Sequence, residues 1–169
     1  MELVFPTIEH KQAALDFRQE HFDFGETRMH GDGGLDTAES YESWLLKIQA
    51  DTSREFSEEI VPATVYFGMR DGAIVGIIQI RHMLNQRLFE TNGHIGYDVR
   101  PTERRKGFAT QMLVLALSKC RELGIDRVLV SCDVDNSASA KTIEKNGGVF
   151  ENEFTEDNGN IIRRYWIEL

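Results

Sequence analysis

The chain has 169 residues, 41% of them hydrophobic and 28% charged, which is ordinary globular usage and excludes a disordered or fibrous class. At this length a single domain, 1–169, buries roughly two-thirds of the surface that its unfolded chain exposes, so a real apolar core is expected. The net charge of −9 argues against a nucleic-acid binder, which would neutralise phosphates with basic faces, and suits a cationic small substrate better.

Leu3-Val4-Phe5 reads as a short strand, and Pro6-Thr7 then opens a helical pattern through Ala13, Ala14, Phe17 and Phe22 that ends near Phe24 or Gly25. No basic flank with an apolar core opens the chain, and no segment has the apolar length of a bilayer span. A cytoplasmic protein without membrane contact is expected. Gly25 to Gly34 holds four glycines with Glu26, Arg28, His30 and Asp32, the composition of a mobile loop. Asp36 with Glu39 has the spacing of a capping box, ahead of Tyr41, Trp44, Leu45 and Ile48 at helical intervals.

After a charged segment and Pro62, the runs Ala63 to Met69 and Ile74 to Ile80 flank Arg70-Asp71-Gly72, the pattern of an antiparallel hairpin. A loop is expected from His82 to Asn92. His94 to Arg100 then alternates as a strand, with Ile95, Tyr97 and Val99 on one face and His94, Gly96 and Asp98 on the other. Gly107 to Leu123 is helical and apolar nearly all round, and it stops at Gly124. Arg127 to Cys132 is the next strand. Strand, crossover helix and strand imply a parallel pair and a mixed sheet. Asn136 to Lys145 forms a short helix, and Val149 to Phe154 with Ile161 to Glu168 closes the chain as a hairpin around Asp157-Asn158-Gly159. The two cysteines, Cys120 and Cys132, have no metal-ligand spacing and read as free thiols, so no metal is expected.

Chemistry concentrates in the link from Arg100 to Thr110, which carries Arg100, Arg104, Arg105 and Lys106 in an otherwise acidic chain. The first turn of a helix offers unpaired N–H groups and a positive partial charge, a ready site for phosphate. Gly107 and Ala109 let the backbone approach closely, the arginines and Lys106 add charge, and Thr110 offers a hydroxyl.

Arg104, Gly107 and Ala109, placed between a strand ending Val99-Arg100-Pro101 and a helix, resemble the signature of the GCN5-related N-acetyltransferase family. Asn136, Ser139 and Lys141, followed by Glu144-Lys145-Asn146-Gly147-Gly148 and Phe150, resemble its second signature. The resemblance covers about residues 63 to 169. It implies an α/β (α+β) fold, a mixed central sheet of about seven strands with four helices in the order β1-α1-α2-β2-β3-β4-α3-β5-α4-β6-β7.

It also implies acetyl-CoA as acyl donor and a primary amine of a small molecule or peptide as acceptor. The amides of Arg105, Lys106, Gly107, Phe108, Ala109 and Thr110 would then cradle the coenzyme pyrophosphate. The strand edge at Asp98, Val99 and Arg100 would pair with the pantetheine arm, and Asn136, with Ser139 at family spacing, would hold that arm from the other side. An N–H near Val99 would stabilise the oxyanion. From the bare residues, the loop also reads as a solvated basic turn and Asn136 as a helix cap.

An alkyl amine titrating near ~10.4 needs to lose a proton before attack, and His94, on the polar face beside Gly96, is the candidate base. Glu90, Asp98, His30 and Glu26 compete for the role. Many relatives protonate the departing sulfur with a tyrosine at the position that is Ile143 here, which leaves solvent, Tyr41 or Tyr165 as proton donors. The alternative function is a non-catalytic acyl-coenzyme A sensor. The closing hairpin offers an edge for a possible homodimer.

Overall fold

The short β-branched runs become strands and the longer periodic segments become helices. In the computed structural model of residues 1–169, the chain passes through β1 (Glu2–Val4), α1 (Lys11–Asp23), α2 (Tyr41–Thr52), β2 (Ala63–Arg70), β3 (Ala73–Arg81) and β4 (Ile95–Val99). It continues through α3 (Phe108–Glu122), β5 (Arg127–Asp133), α4 (Ser137–Lys145), β6 (Val149–Thr155) and β7 (Ile161–Glu168). The sheet has seven strands in the order β1-β2-β3-β4-β5-β7-β6. Every neighbouring pair is antiparallel except β4 and β5, which α3 links as a parallel crossover. Element order and mixed sheet match the expectation from the sequence.

Helices cover both faces. α3 and α4 pack on one through Phe108, Met112, Leu113, Ala116, Leu117, Ala140 and Ile143, against Ile95, Val128, Val130 and Tyr165 from the strands. α1 and α2 pack on the other through Ala14, Phe17, Tyr41, Trp44 and Ile48, against Val65, Phe67 and Ile77. Paired glycines on β2 and β3 admit α3 closely: a Cβ on Gly68 or Gly76 would lie 2.6 Å from the Met112 side chain. No helix is long and apolar enough to cross a membrane.

Four local expectations are corrected. Ile8–His10 forms a 3-10 turn before α1 instead of its first turn. The N-cap of α2 is Ser40, whose hydroxyl accepts the Ser43 N–H at 3.1 Å, while the Asp36 carboxylate turns back to the Met29 N–H. Leu88–Asn92, expected as loop, is a π-helical turn. The Gly25 to Gly34 segment is fixed by contacts with β4, described below, rather than free of the sheet. β6 lies at the sheet edge, as the sequence suggested, and exposes Val149 and Phe150 there.

Candidate active site

β4 and β5 stay together over one register pair, Ile95 with Val130, and then separate. The Arg81 N–H donates to the His94 carbonyl at 2.8 Å and the Arg100 N–H to the Val75 carbonyl at 2.9 Å. Antiparallel alternation therefore turns the peptide groups of Gly96, Asp98 and Arg100 toward β3 and those of Tyr97 and Val99 into the opening. The edge expected at Asp98, Val99 and Arg100 is thus corrected to Tyr97 and Val99. Val99 is already engaged: its N–H donates to Asp98 Oδ1 at 2.9 Å, and its carbonyl accepts Arg104 Nε at 3.1 Å.

At the wide end of this opening the chain makes a 3-10 turn, Pro101–Glu103, and then enters α3. Two residues of the link take left-handed backbone, Arg105 at φ 63° and Gly107 at φ 82°. Such turns gather successive N–H groups onto one concave surface. The first closing bond of α3 is Gln111 N–H to the Gly107 carbonyl at 3.1 Å, and the N–H groups from Arg105 to Thr110 have no acceptor within the chain. Phe108 anchors the turn in the core, whereas Gly107 faces open space, with only Gln111 Nε2 at 4.0 Å from a Cβ built on it. The amide run fits a diphosphate.

The side chains around the loop depart from expectation. Arg100 does not point at the loop amides: Nη1 pairs with Glu20 at 2.7 Å, Nε donates to the Ile74 carbonyl at 2.7 Å, and the guanidinium covers the Phe17 ring. Arg104 reaches the α1–α2 connection, where it forks onto Glu26 and lies 3.3 Å from Asp98. These two arginines tie the loop to α1 and to the segment after it. Arg105 and Lys106 stay exposed: Arg105 makes no ion pair, and Lys106 lies 3.0 Å from Glu103.

Across the opening, α4 starts at Asn136, whose side-chain oxygen caps the Ser139 N–H at 3.0 Å. The Ser139 hydroxyl meets the Tyr97 hydroxyl at 2.8 Å. Cys132 lines the same region from β5, and burial pushes its thiol up, so it stays protonated. The loop, the β4 edge, Asn136 and Ser139 therefore surround one gap in the sheet.

The family model for the acetyltransferase (GNAT) domain matches residues 4–149. The chain belongs to the GNAT acetyltransferase family. No curated protein sequence matches the chain significantly. Solved structures with the same fold include RimL, a ribosomal L7/L12 alpha-N-protein acetyltransferase in complex with coenzyme A, at 17% identity and TM-score 0.72 over 99% of this chain and 93% of that one. A second is the microcin C7 self-immunity acetyltransferase MccE in complex with acetyl-CoA and AMP, at 18% identity and TM-score 0.72 over 99% and 91%. A third is a spermidine N-acetyltransferase SpeG chimera from Vibrio cholerae and hSSAT, at 14% identity and TM-score 0.67 over 99% and 96%.

Within this GNAT domain the environment of His94 is not that of a base. The residue is 8% exposed, and its Nδ1 accepts the Leu129 N–H at 3.0 Å. Burial, and then the charge of Arg81, press its pKa down to about 4. Its own N–H and carbonyl bond to β5 and β3, which makes it a buried tie across the apex of the fork. The space expected above Gly96 is filled by the backbone of Gly31, since a Cβ on Gly31 would lie 2.0 Å from the Gly96 carbonyl oxygen.

The acceptor side of β4 instead carries an ion-pair cluster. The buried His21 places Nδ1 2.6 Å from Glu26 Oε2, Glu26 binds Arg104, and Asp98 Oδ2 accepts the His30 N–H at 3.3 Å. Arg104 holds the Glu26 carboxyl below its usual range. The donor atoms of His21, Glu26 and Asp98 lie within 4.8 Å of one another, and the Arg104 guanidinium supplies the positive charge among them. His21 carried no sequence signal, because nothing local links position 21 to 98 or 104.

Of the proton donors considered, Tyr41 gives its hydroxyl to the Thr7 carbonyl at 2.7 Å beneath α2, away from the opening, and Tyr165 is 2% exposed against Phe150. Ile143 is fully buried and offers only methyl groups.

Proposed function

We propose that this GNAT domain transfers the acetyl group of acetyl-CoA to a primary amine of a small molecule or peptide. The observation that carries the reading is the run of N–H groups from Arg105 to Thr110, without partners in the chain, at the mouth of the β4–β5 opening. The coenzyme supplies an activated acetyl thioester. The loop amides, with Arg105 and Lys106 beside them, hold the diphosphate, and the peptide groups of Tyr97 face the arm that enters the gap. Asn136 keeps its side-chain NH2 group for the other flank, its oxygen being committed to the cap.

The acceptor approaches from the α1–α2 side, where Glu26 and Asp98 lend the negative charge that suits a cation. With His94 buried and weakly basic, the amine enters in its neutral form, a fraction of about one in a thousand at pH 7 for an alkyl amine. Turnover therefore rises with pH toward the acceptor's own pKa.

The test is a panel of polyamines, amino acids, peptides and aminoglycosides with acetyl-CoA, read by thiol release and by calorimetric binding of the coenzyme. Saturable binding with turnover of at least one amine supports the reading. Tight coenzyme binding with no turnover across the panel turns it into an acyl-CoA sensor, and absence of binding removes it altogether.

A further inference from the structure

Expulsion of a thiolate is eased by a hydrogen-bond donor at the sulfur, and the side of the gap formed by α4 carries no tyrosine of its own. β4 provides one. Of Tyr97 and Val99, whose peptide groups face the opening, Tyr97 is the one not already engaged, and its side chain leans to the α4 side, where it ends on Ser139 at 2.8 Å. A residue at Ile143 would direct its side chain toward the turn N-terminal to it, which is the turn of Ser139. The Tyr97 hydroxyl therefore occupies, from the strand, the place that a long side chain at 143 would reach from the helix.

We infer that the Tyr97 hydroxyl, oriented by Ser139, is the hydrogen-bond donor to the sulfur that departs in acetyl transfer. The inference rests on the proposed coenzyme site and adds a residue to it. Either hydroxyl of the Tyr97–Ser139 pair can be the donor, and with Ser139 giving its proton to the phenol oxygen the phenol keeps its own proton for another acceptor. Burial raises the phenol to about 12. A thiol titrates near ~8.5, so the phenol is the weaker acid and keeps its proton. In the step, the amine nitrogen bonds to the carbonyl carbon, the carbon–sulfur bond breaks, and its electron pair stays on sulfur under the Tyr97 O–H. The proton of the acylated nitrogen goes to solvent. Tyr97 stabilises charge and ends the step unchanged.

The experiment is an ultraviolet titration of the thiolate of coenzyme A bound to the protein, beside steady-state turnover with the best amine found. In the wild type the bound thiol should titrate about one unit below the free thiol, and Tyr97→Phe should return it to the free value or above. The same variant should lose roughly 10- to 100-fold in kcat while its affinity for coenzyme A changes by less than about threefold. Ser139→Ala, at a half-buried position, should move both readings in the same direction by a smaller amount. Superposable titrations for the wild type and Tyr97→Phe overturn the inference and leave the coenzyme site standing. No uptake of coenzyme A by the wild type overturns both.

Discussion

Gly31 and Gly96 meet backbone to backbone, so closely that a single carbon added to Gly31 would sit 2.0 Å from the Gly96 carbonyl oxygen. The contact docks the α1–α2 connection onto the middle of β4, next to the strand residue that faces the gap.

Gly31→Ala should therefore lift that connection. Gly31 also has φ 68°, so the alanine meets both a clash and an unfavourable backbone, together about 2–4 kcal/mol. The expected outcome is a lowered melting temperature and a several-fold rise in KM for the amine, with coenzyme A affinity unchanged within about twofold. Calorimetry and amine saturation curves measure the two sides. Coenzyme affinity falling in step with amine affinity would show that the connection does not act on the acceptor side alone.

The loop at the head of α3 gives a second test with an internal control. Gly107 has φ 82° but open space where a Cβ would go, so Gly107→Ala carries only a backbone penalty of about 1 kcal/mol and the protein still folds. Gly107→Glu adds a carboxylate beside the N–H groups that have no partner. Coenzyme A binding should weaken a few-fold in the first variant and fall below detection in the second, as read by isothermal calorimetry. Equal binding by both would place the diphosphate elsewhere.

How much of this was legible follows from the range of the forces involved. The α3 loop was readable because its chemistry is local: glycine, alanine and basic residues at a helix start carry their meaning in adjacent positions. The alternation of Ile95, Tyr97 and Val99 likewise fixed which face meets α3 and α4. The burial of His94 and the Leu129 N–H that its ring accepts involve β5, which no residue near position 94 announces. Asp36 and Glu39 have the spacing of a capping box, yet the Ser40–Ser43 pair, with equally suitable chemistry, holds that place. The directions of Arg100 and Arg104 were set by Glu20 and Glu26 in α1 and just beyond it, so charge near the loop was visible and its destination was not.

Those destinations separate two roles for Arg104. A side chain that gripped phosphate would, on truncation, weaken coenzyme binding by an order of magnitude or more. Arg104 instead joins Glu26, Asp98 and the Val99 carbonyl. Arg104→Ala should thus leave coenzyme A affinity within about threefold and raise the amine KM, because Glu26 and Asp98 lose the cation between them. Lys106→Ala, by contrast, should weaken the coenzyme and reduce the salt dependence of its binding. The comparison of salt-dependent Kd values for the two variants decides it.

The ring of His94 makes a prediction about stability rather than catalysis. Its folded pKa is about 4, while an unfolded histidine titrates near ~6.5, so between those values the unfolded chain binds more protons. The contribution is therefore fully present above about pH 6.5 and is lost as pH falls toward 4, to the extent of about 3 kcal/mol. His94→Asn retains an acceptor for the Leu129 N–H but cannot titrate. Urea midpoints measured from pH 7 to pH 4 should fall less steeply for this variant than for the wild type, and the pH dependence of its turnover should keep the same shape. Parallel loss of stability in both proteins would mean that the ring is open to water, and a flattened turnover profile would return His94 to the role of base.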